Sequence, residues 1–235
     1  MDVRGSVALV TGANRGLGAS FCRVLLDRGA AKVYAGARNP ASVRMDGVEP
    51  IQLDITSAAD IAAAVGRCGD VTLLINNAGI ATGTAALAED AIAKARLEFD
   101  TNTLGTLAMS QAFAPVLGAN GGGGIVNVLS VLSWLHMPWS AVYCASKAAS
   151  WALTNSLRQE LQGQRTHVLA LHVGLMDTDM TAGLDAAKSS PDDVAAQVMD
   201  GLDAGVFEVL ADDTSRHVRS ALSGDLTGLY PSLAS

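Results

Sequence analysis

Hydrophobic positions along this chain come in short runs without alternation, each followed by a stretch in which they recur every three or four residues. Residues 6–10 are small and apolar throughout, the pattern of a parallel strand covered on both faces. A glycine-rich turn follows, and then Leu17, Phe21, Val24 and Leu25 fall at i, i+4, i+7 and i+8, one face of a helix that ends near Gly29. The same reading predicts strands over residues 32–35, 50–54, 71–76, 124–129, 166–173 and 208–211. Helices fit between them. The helix over 57–65 opens with a Ser57-x-x-Asp60 capping box, and Ser190-Pro-Asp-Asp193 repeats that box with proline at the first helical position. Two long helices are expected over residues 90–116 and 141–161.

Strands separated by helices must be joined by crossovers, so the expected architecture is α/β: a Rossmann-like, doubly wound parallel sheet of about seven strands with helices on both faces. Neither an internal repeat nor a break in composition divides the chain, which reads as one domain over residues 1–235. The glycine run 121–124 is a flexible loop leading into a strand of the same sheet. Residues 174–190 are the one long stretch without clear periodicity, as lids and binding loops often are.

Composition narrows the function. With 49% hydrophobic and 17% charged residues the chain can bury a substantial core without staples. A net charge of −7, with scattered basic residues and only 4% aromatics, gives no electrostatic reason to approach nucleic acid or an anionic membrane. Cys22, Cys68 and Cys144 are an odd number without CxxC spacing, which argues against a disulfide framework or zinc site and fits a reducing, cytoplasmic setting. The apolar stretch 7–10 is too brief for a signal peptide core or a membrane span.

Thr11-Gly12-Ala13-Asn14-Arg15-Gly16-Leu17-Gly18 lies between an expected strand and helix. There, glycines let the backbone turn sharply and approach a pyrophosphate at the helix N-terminus, whose dipole favours the negative charge. A bland structural turn would explain the glycines alone; the strand before and helix after favour the dinucleotide reading. About twenty residues further on, where an acid would select NAD through the ribose 2′-hydroxyl, the sequence reads Tyr34-Ala35-Gly36-Ala37-Arg38 with no acid. Arg38, with Arg15, can hold a 2′-phosphate instead, so NADPH/NADP+ is the expected cofactor; otherwise Arg38 is a solvated strand end. Asp54, followed by Ile55, ends the third strand at the crevice, where it can accept from an adenine amino group or cap the next helix.

Tyr143-Cys144-Ala145-Ser146-Lys147 places Tyr and Lys at i and i+4, on one helix face. A phenol titrates near ~10, too high for ready exchange at neutral pH. An ammonium ~4 to 5 Å away at an effective dielectric near 20 favours the phenolate by ~3 to 4 kcal/mol, enough to lower the pKa by about two to three. The tyrosine would then suit general acid/base work.

Tyr-x-x-x-Lys is common by itself. Together with the glycine loop, Asn76-Asn77-Ala78-Gly79 after the fourth strand, and Ser130 at the end of the fifth, it makes the sequence resemble the short-chain dehydrogenase/reductase family over essentially the whole chain. The resemblance implies strand order 3-2-1-4-5-6-7 and a carbonyl reductase in which Ser130 holds the substrate oxygen and Tyr143 gives it a proton. Lys147 would also bond the nicotinamide ribose. Asn102 looks like the family's active-site asparagine, which bends its helix and binds a water that relays protons to the lysine; without that match it reads as a cap or a buried polar group. Ser133 is a neighbour that could be mistaken for Ser130. Asn77, Ala78 and Gly79 resemble the segment lining the adenosine ribose. Val173-Gly174-Leu175-Met176-Asp177-Thr178 is similar to the family's Pro-Gly-x-x-x-Thr stretch, with Met176 and Thr178 placed for the carboxamide and Val173 departing from the usual proline.

Trp134, Leu135, Met137, Pro138 and Trp139, with Met176, Met180 and Leu184, are expected either as walls of an apolar cleft for a hydrophobic ketone or aldehyde or as ordinary core and dimer contacts. Between Asp177 and Asp203 only Lys188 stands against seven aspartates, so an acidic acyl carrier protein would be repelled. In relatives the two long helices pair between subunits, which implies a homodimer or homotetramer.

Overall fold

The computed structural model describes residues 1–234. Seven strands, β1 (Val7–Thr11), β2 (Lys32–Ala37), β3 (Glu49–Gln52), β4 (Leu73–Asn76), β5 (Gly123–Val128), β6 (Thr166–His172) and β7 (Glu208–Leu210), form one sheet of order β3-β2-β1-β4-β5-β6-β7. Every neighbouring pair is parallel. The helices that join them are α1 (Gly16–Asp27), α2 (Ala58–Arg67), α3 (Ala91–Glu98), α4 (Thr106–Ala119), α5 (Ala141–Glu160), α6 (Pro191–Ala204) and α7 (Asp213–Ala221). The expected Rossmann-like sheet is therefore observed, in the expected order.

The absence of polar alternation in the strands follows from burial on both faces. Ala8, Val10, Leu73, Ile75, Val126, Leu169 and Leu171 point into one core cluster, which also holds α1 and α6 residues. Leu9, Leu74, Ile125 and Val168, one position away on the same strands, point into the other, beneath α2, α4 and α5. Each register shift would exchange these faces, so the pairing is tightly specified.

Helix entry follows the sequence signals. Ser57 accepts from Asp60 N at 3.2 Å, and Ser190 accepts from Asp193 N at 3.4 Å with Pro191 in the first turn. The long helix expected over residues 90–116 is interrupted: Phe99–Gly105 is π-helical, between α3 and α4. The widened turn carries the buried Asn102, and such bulges concentrate at functional sites. No helix among the described residues is long and apolar enough to cross a membrane, and no cluster of metal-ligating side chains is present among them.

Candidate active site

The carboxyl ends of the strands open onto one crevice, where a doubly wound sheet binds its ligands. At the end of β1, Gly12 and Gly16 have φ of +64° and +51°, which L side chains rarely adopt. A Cβ on Gly18 would lie 2.1 Å from the Gly12 carbonyl oxygen, so helix and turn pack at a distance only glycine permits. Asn77 ties this loop to the end of β4: its side chain donates to Thr11 O at 2.9 Å, and Thr11 Oγ1 accepts from Asn77 N and Ala78 N, both at 3.0 Å. The start of α1 has neither a side-chain cap nor an acid in its first turn. Its unpaired N–H groups, which include those of Leu17 and Gly18, fit a pyrophosphate. Asn14 is exposed on the turn before them.

Arg38 stands just beyond β2, exposed and without a partner among the described residues. Arg15 does have one: Nη1 donates to Asp179 of the 174–190 loop at 2.9 Å. Asp54 lies beyond β3 rather than at its end and caps no helix; Ser57 does that. One Asp54 oxygen accepts from Thr56 N and Oγ1 at 2.9 and 2.7 Å, closing a local turn. Ile55 is buried beneath Gly105, where a Cβ would approach its side chain to 2.8 Å. Thr178 sits against the glycine loop, its methyl 3.3 Å from where a Gly16 Cβ would be, and the Met176 carbonyl accepts from Thr181 Oγ1.

At the centre, Lys147 Nζ lies 5.7 Å from the Tyr143 ring centre and donates to Val128 O at 2.8 Å. Gly79 passes between the lysine and Asn102: a Cβ there would be 3.6 Å from Nζ and 3.2 Å from Asn102 Oδ1. Asn102 accepts from Ile80 N at 2.8 Å and donates to Ile80 O and Ser146 Oγ at 2.9 and 3.0 Å, so its side chain is fully engaged with protein. Ser130 Oγ accepts from Leu132 N at 3.1 Å and donates to Val173 O at 3.4 Å. Ser133 is distinguished from it by geometry: buried, its hydroxyl accepts from Ser130 N at 3.4 Å and braces the turn.

The electrostatics correct the expectation of an acidified phenol. Burial raises the Tyr143 pKa well above its usual value, and a hydrogen bond with Ser130 opposes this only in part. The same burial lowers Lys147 to about 8. Both charged forms are penalised by the low-dielectric site, and the ammonium is committed to a carbonyl rather than to the phenol oxygen.

A cavity of about 690 Å³ adjoins Ser130. Leu135, Met137, Trp139 and Leu184 line it as expected, but Trp134, Met176 and Met180 do not. Trp134 is 4% exposed and stacks on His172 with ring centres 3.6 Å apart, in a small core with Val131 and Val218. Met180 is turned outward, 54% exposed, and Met176 packs against the main core. Sequence reasoning missed Asp212, Asp213 and Thr214, which also line the cavity. Their signal was the Asp212-x-x-Ser215 cap directly after the last strand, hence at the carboxyl edge of the sheet. Asp212 accepts from Ser215 N at 2.7 Å and from Gly174 N at 2.5 Å, joining α7 to the loop. The lining is therefore mostly apolar over residues 131–139 and carries the charged Asp185, Lys188, Asp212 and Asp213 elsewhere.

Residues 6–189 match the short chain dehydrogenase family. An uncharacterised oxidoreductase of Methylorubrum extorquens is 32% identical over 92% of this chain and 94% of its own. The NADP-dependent 3-hydroxy acid dehydrogenase of Schizosaccharomyces pombe is 29% identical over 75% of this chain and 74% of its own. A crystal structure of a short chain dehydrogenase from Burkholderia cenocepacia, in complex with NADP, superposes with a TM-score of 0.94 at 39% identity, covering 100% of both chains. With the glycine loop, the Asn77 tie and the Ser130, Tyr143 and Lys147 cluster in one crevice, the chain belongs to the short-chain dehydrogenase/reductase family of oxidoreductases.

Proposed function

We propose that this single-domain protein is an NADPH-dependent carbonyl reductase for a free small molecule with an apolar body. The observation that carries the cofactor choice is Arg38, exposed and unpaired at the end of β2 with no acid in β2, where a 2′-phosphate needs a cation and NAD needs a carboxylate. The NADP complex of the Burkholderia cenocepacia relative and the NADP dependence named for the Schizosaccharomyces pombe enzyme support the same choice. The uncapped α1, the glycine cradle and Thr178 would hold the pyrophosphate and nicotinamide side; Asp54 and the 77–79 segment would hold adenine and its ribose.

The bound nicotinamide supplies the hydride. Tyr143 gives the proton: its raised pKa keeps the phenol protonated at neutral pH, and a developing alkoxide is comparable in basicity to hydroxide (water pKa about 15.7), so the transfer runs downhill. Ser130, on the cavity wall, donates to the same oxygen as charge builds there. Lys147 would bond the nicotinamide ribose, and its amino group, poised near 8, accepts or returns a proton readily at physiological pH. Asn102 holds the 79–80 backbone against it. Leu135, Met137, Trp139 and Leu184 take the apolar part of the ketone or aldehyde. The three aspartates that line the cavity, Asp185, Asp212 and Asp213 against the single Lys188, disfavour an acyl carrier protein as docking partner.

The half-exposed Leu97 and Leu104 and the exposed Ile92, along α3 and the π-helical turn, fit pairing with a second copy in a cytoplasmic homodimer or homotetramer. The test of the function is loss of NADPH absorbance against a panel of aliphatic, aromatic and steroid ketones, with NADH in parallel. Turnover with NADPH at least about tenfold above NADH is expected; NADH preferred on every ketone would overturn the cofactor assignment.

A further inference from the structure

Glu98 is a fully buried carboxylate at the end of α3, four residues before Asn102, that the mechanism above does not use. Both side chains grip one strip of backbone. Where Asn102 holds Ile80, Glu98 Oε1 accepts from Thr82 N at 2.5 Å and from Thr82 Oγ1 at 2.6 Å. Thr84 Oγ1 then donates to Thr82 Oγ1 at 2.8 Å, and the Thr84 carbonyl accepts from Val142 N, the residue before Tyr143, at 3.3 Å. At its other end the strip begins with Gly79, against Lys147 Nζ. Residues 79–84 thus run from the lysine to the start of the helix that carries the tyrosine. Glu98 Oε2 is buried without a hydrogen-bond partner, so Thr82 supplies every hydrogen bond the carboxyl group receives.

We propose that Glu98 is a positioning residue for proton transfer: its grip on Thr82 fixes the seat of Tyr143, and its buried charge holds Lys147 as an ammonium. The inference rests on the reading of Tyr143 as proton donor. The titratable groups that face Glu98 are Tyr143, Cys144 and Lys147, all on α5, and its charge raises all three. On Lys147 it opposes burial, the larger effect, which brings the group to about 8. No other charged side chain among the described residues acts on Lys147.

The chain has four lysines, Lys32, Lys94, Lys147 and Lys188, so carbon-13 lysine labelling and NMR can follow each titration in the intact protein, with Lys147→Arg as the assignment control. Lys147 should titrate near 8 in the natural chain and about one pH unit lower in Glu98→Gln, whose amide keeps the shape without the charge. An unchanged midpoint overturns the electrostatic role. Glu98→Asp keeps the charge and covers the case in which the glutamine variant does not fold: its midpoint should stay near that of the natural chain, and a fall as large as that expected of glutamine contradicts the proposal. Thr82→Val keeps Glu98 but cuts the hydroxyl link; it should leave the midpoint unchanged and lower NADPH turnover with the best ketone of the panel about tenfold. Undiminished turnover in Thr82→Val overturns the positioning role. Full activity in Tyr143→Phe would instead overturn the catalytic reading, which the lysine titration does not depend on.

Discussion

The two sides of the crevice are built by different means. On the cofactor side, positive-φ glycines, the Thr11 to Asn77 tie and a glycine-only contact at Gly18 fix the shape through backbone. On the substrate side, residues 174–190 are irregular, closed at the base where Asp177 N and Ser189 N donate to Ser189 O and Leu175 O at 3.0 and 2.8 Å, and exposed at the tip. A site that binds one invariant ligand can be written into backbone geometry, whereas a site that selects among substrates sits on a segment whose side chains change at little cost to the fold.

Paired substitutions sharpen that contrast. Gly18→Ala must push a Cβ into the Gly12 carbonyl and should weaken NADPH binding at least about 100-fold by fluorescence titration, with a lowered Tm. Gly183→Ala, with open space around it in the loop, should change neither. Equal tolerance at both positions would break the comparison.

Arg38→Asp should shift the NADPH to NADH preference in kcat/KM about 10- to 100-fold toward NADH, the loss of a charge-assisted contact. Arg15→Ala should do much less, because Arg15 already has Asp179 and that pair is exposed. An unchanged preference in Arg38→Asp places the 2′-phosphate elsewhere.

Behind Ser130, His172 stacks on Trp134 and approaches Ser130 O with Nδ1 at 3.2 Å. Burial lowers its pKa from 6.5 to about 4. The unfolded chain then binds the proton first, so stability is full above pH 6.5 and is lost as pH falls toward 4, about 3 kcal/mol in all. His172→Asn should flatten that part of the Tm against pH curve; an equally steep curve would show that other groups set it. Smallest are the cleft wall effects: Trp139→Ala should raise KM for apolar ketones by about three- to tenfold with kcat little changed, and Met180→Ala, turned away from the cavity, should leave both alone.

Much of this was legible in the sequence, for physical reasons. Unalternating apolar runs separated by helical stretches read as strands buried on both faces, the glycine loop stands out between strand and helix, and Ser130, Tyr143 and Lys147 are picked out together by the resemblance to the family. What could not be read was three-dimensional. Trp134 stands beside wall residues in sequence, yet its ring turns inward because His172 offers a flat partner on β6. Asp212 and Asp213 line the cavity from more than seventy positions beyond Ser130, brought near by parallel crossovers. The sign of the Tyr143 shift is set by burial, opposed only in part by the Ser130 hydrogen bond, and spacing along the helix shows neither.

In the proposed reaction Tyr143 hands a proton to the substrate oxygen while taking little part in holding the cofactor. Tyr143→Phe, titrated with NADPH and assayed for ketone reduction, tests it: the account predicts binding within about twofold of the natural chain and a reduction rate lower by about 100- to 10,000-fold. Reduction at the unsubstituted rate would contradict it.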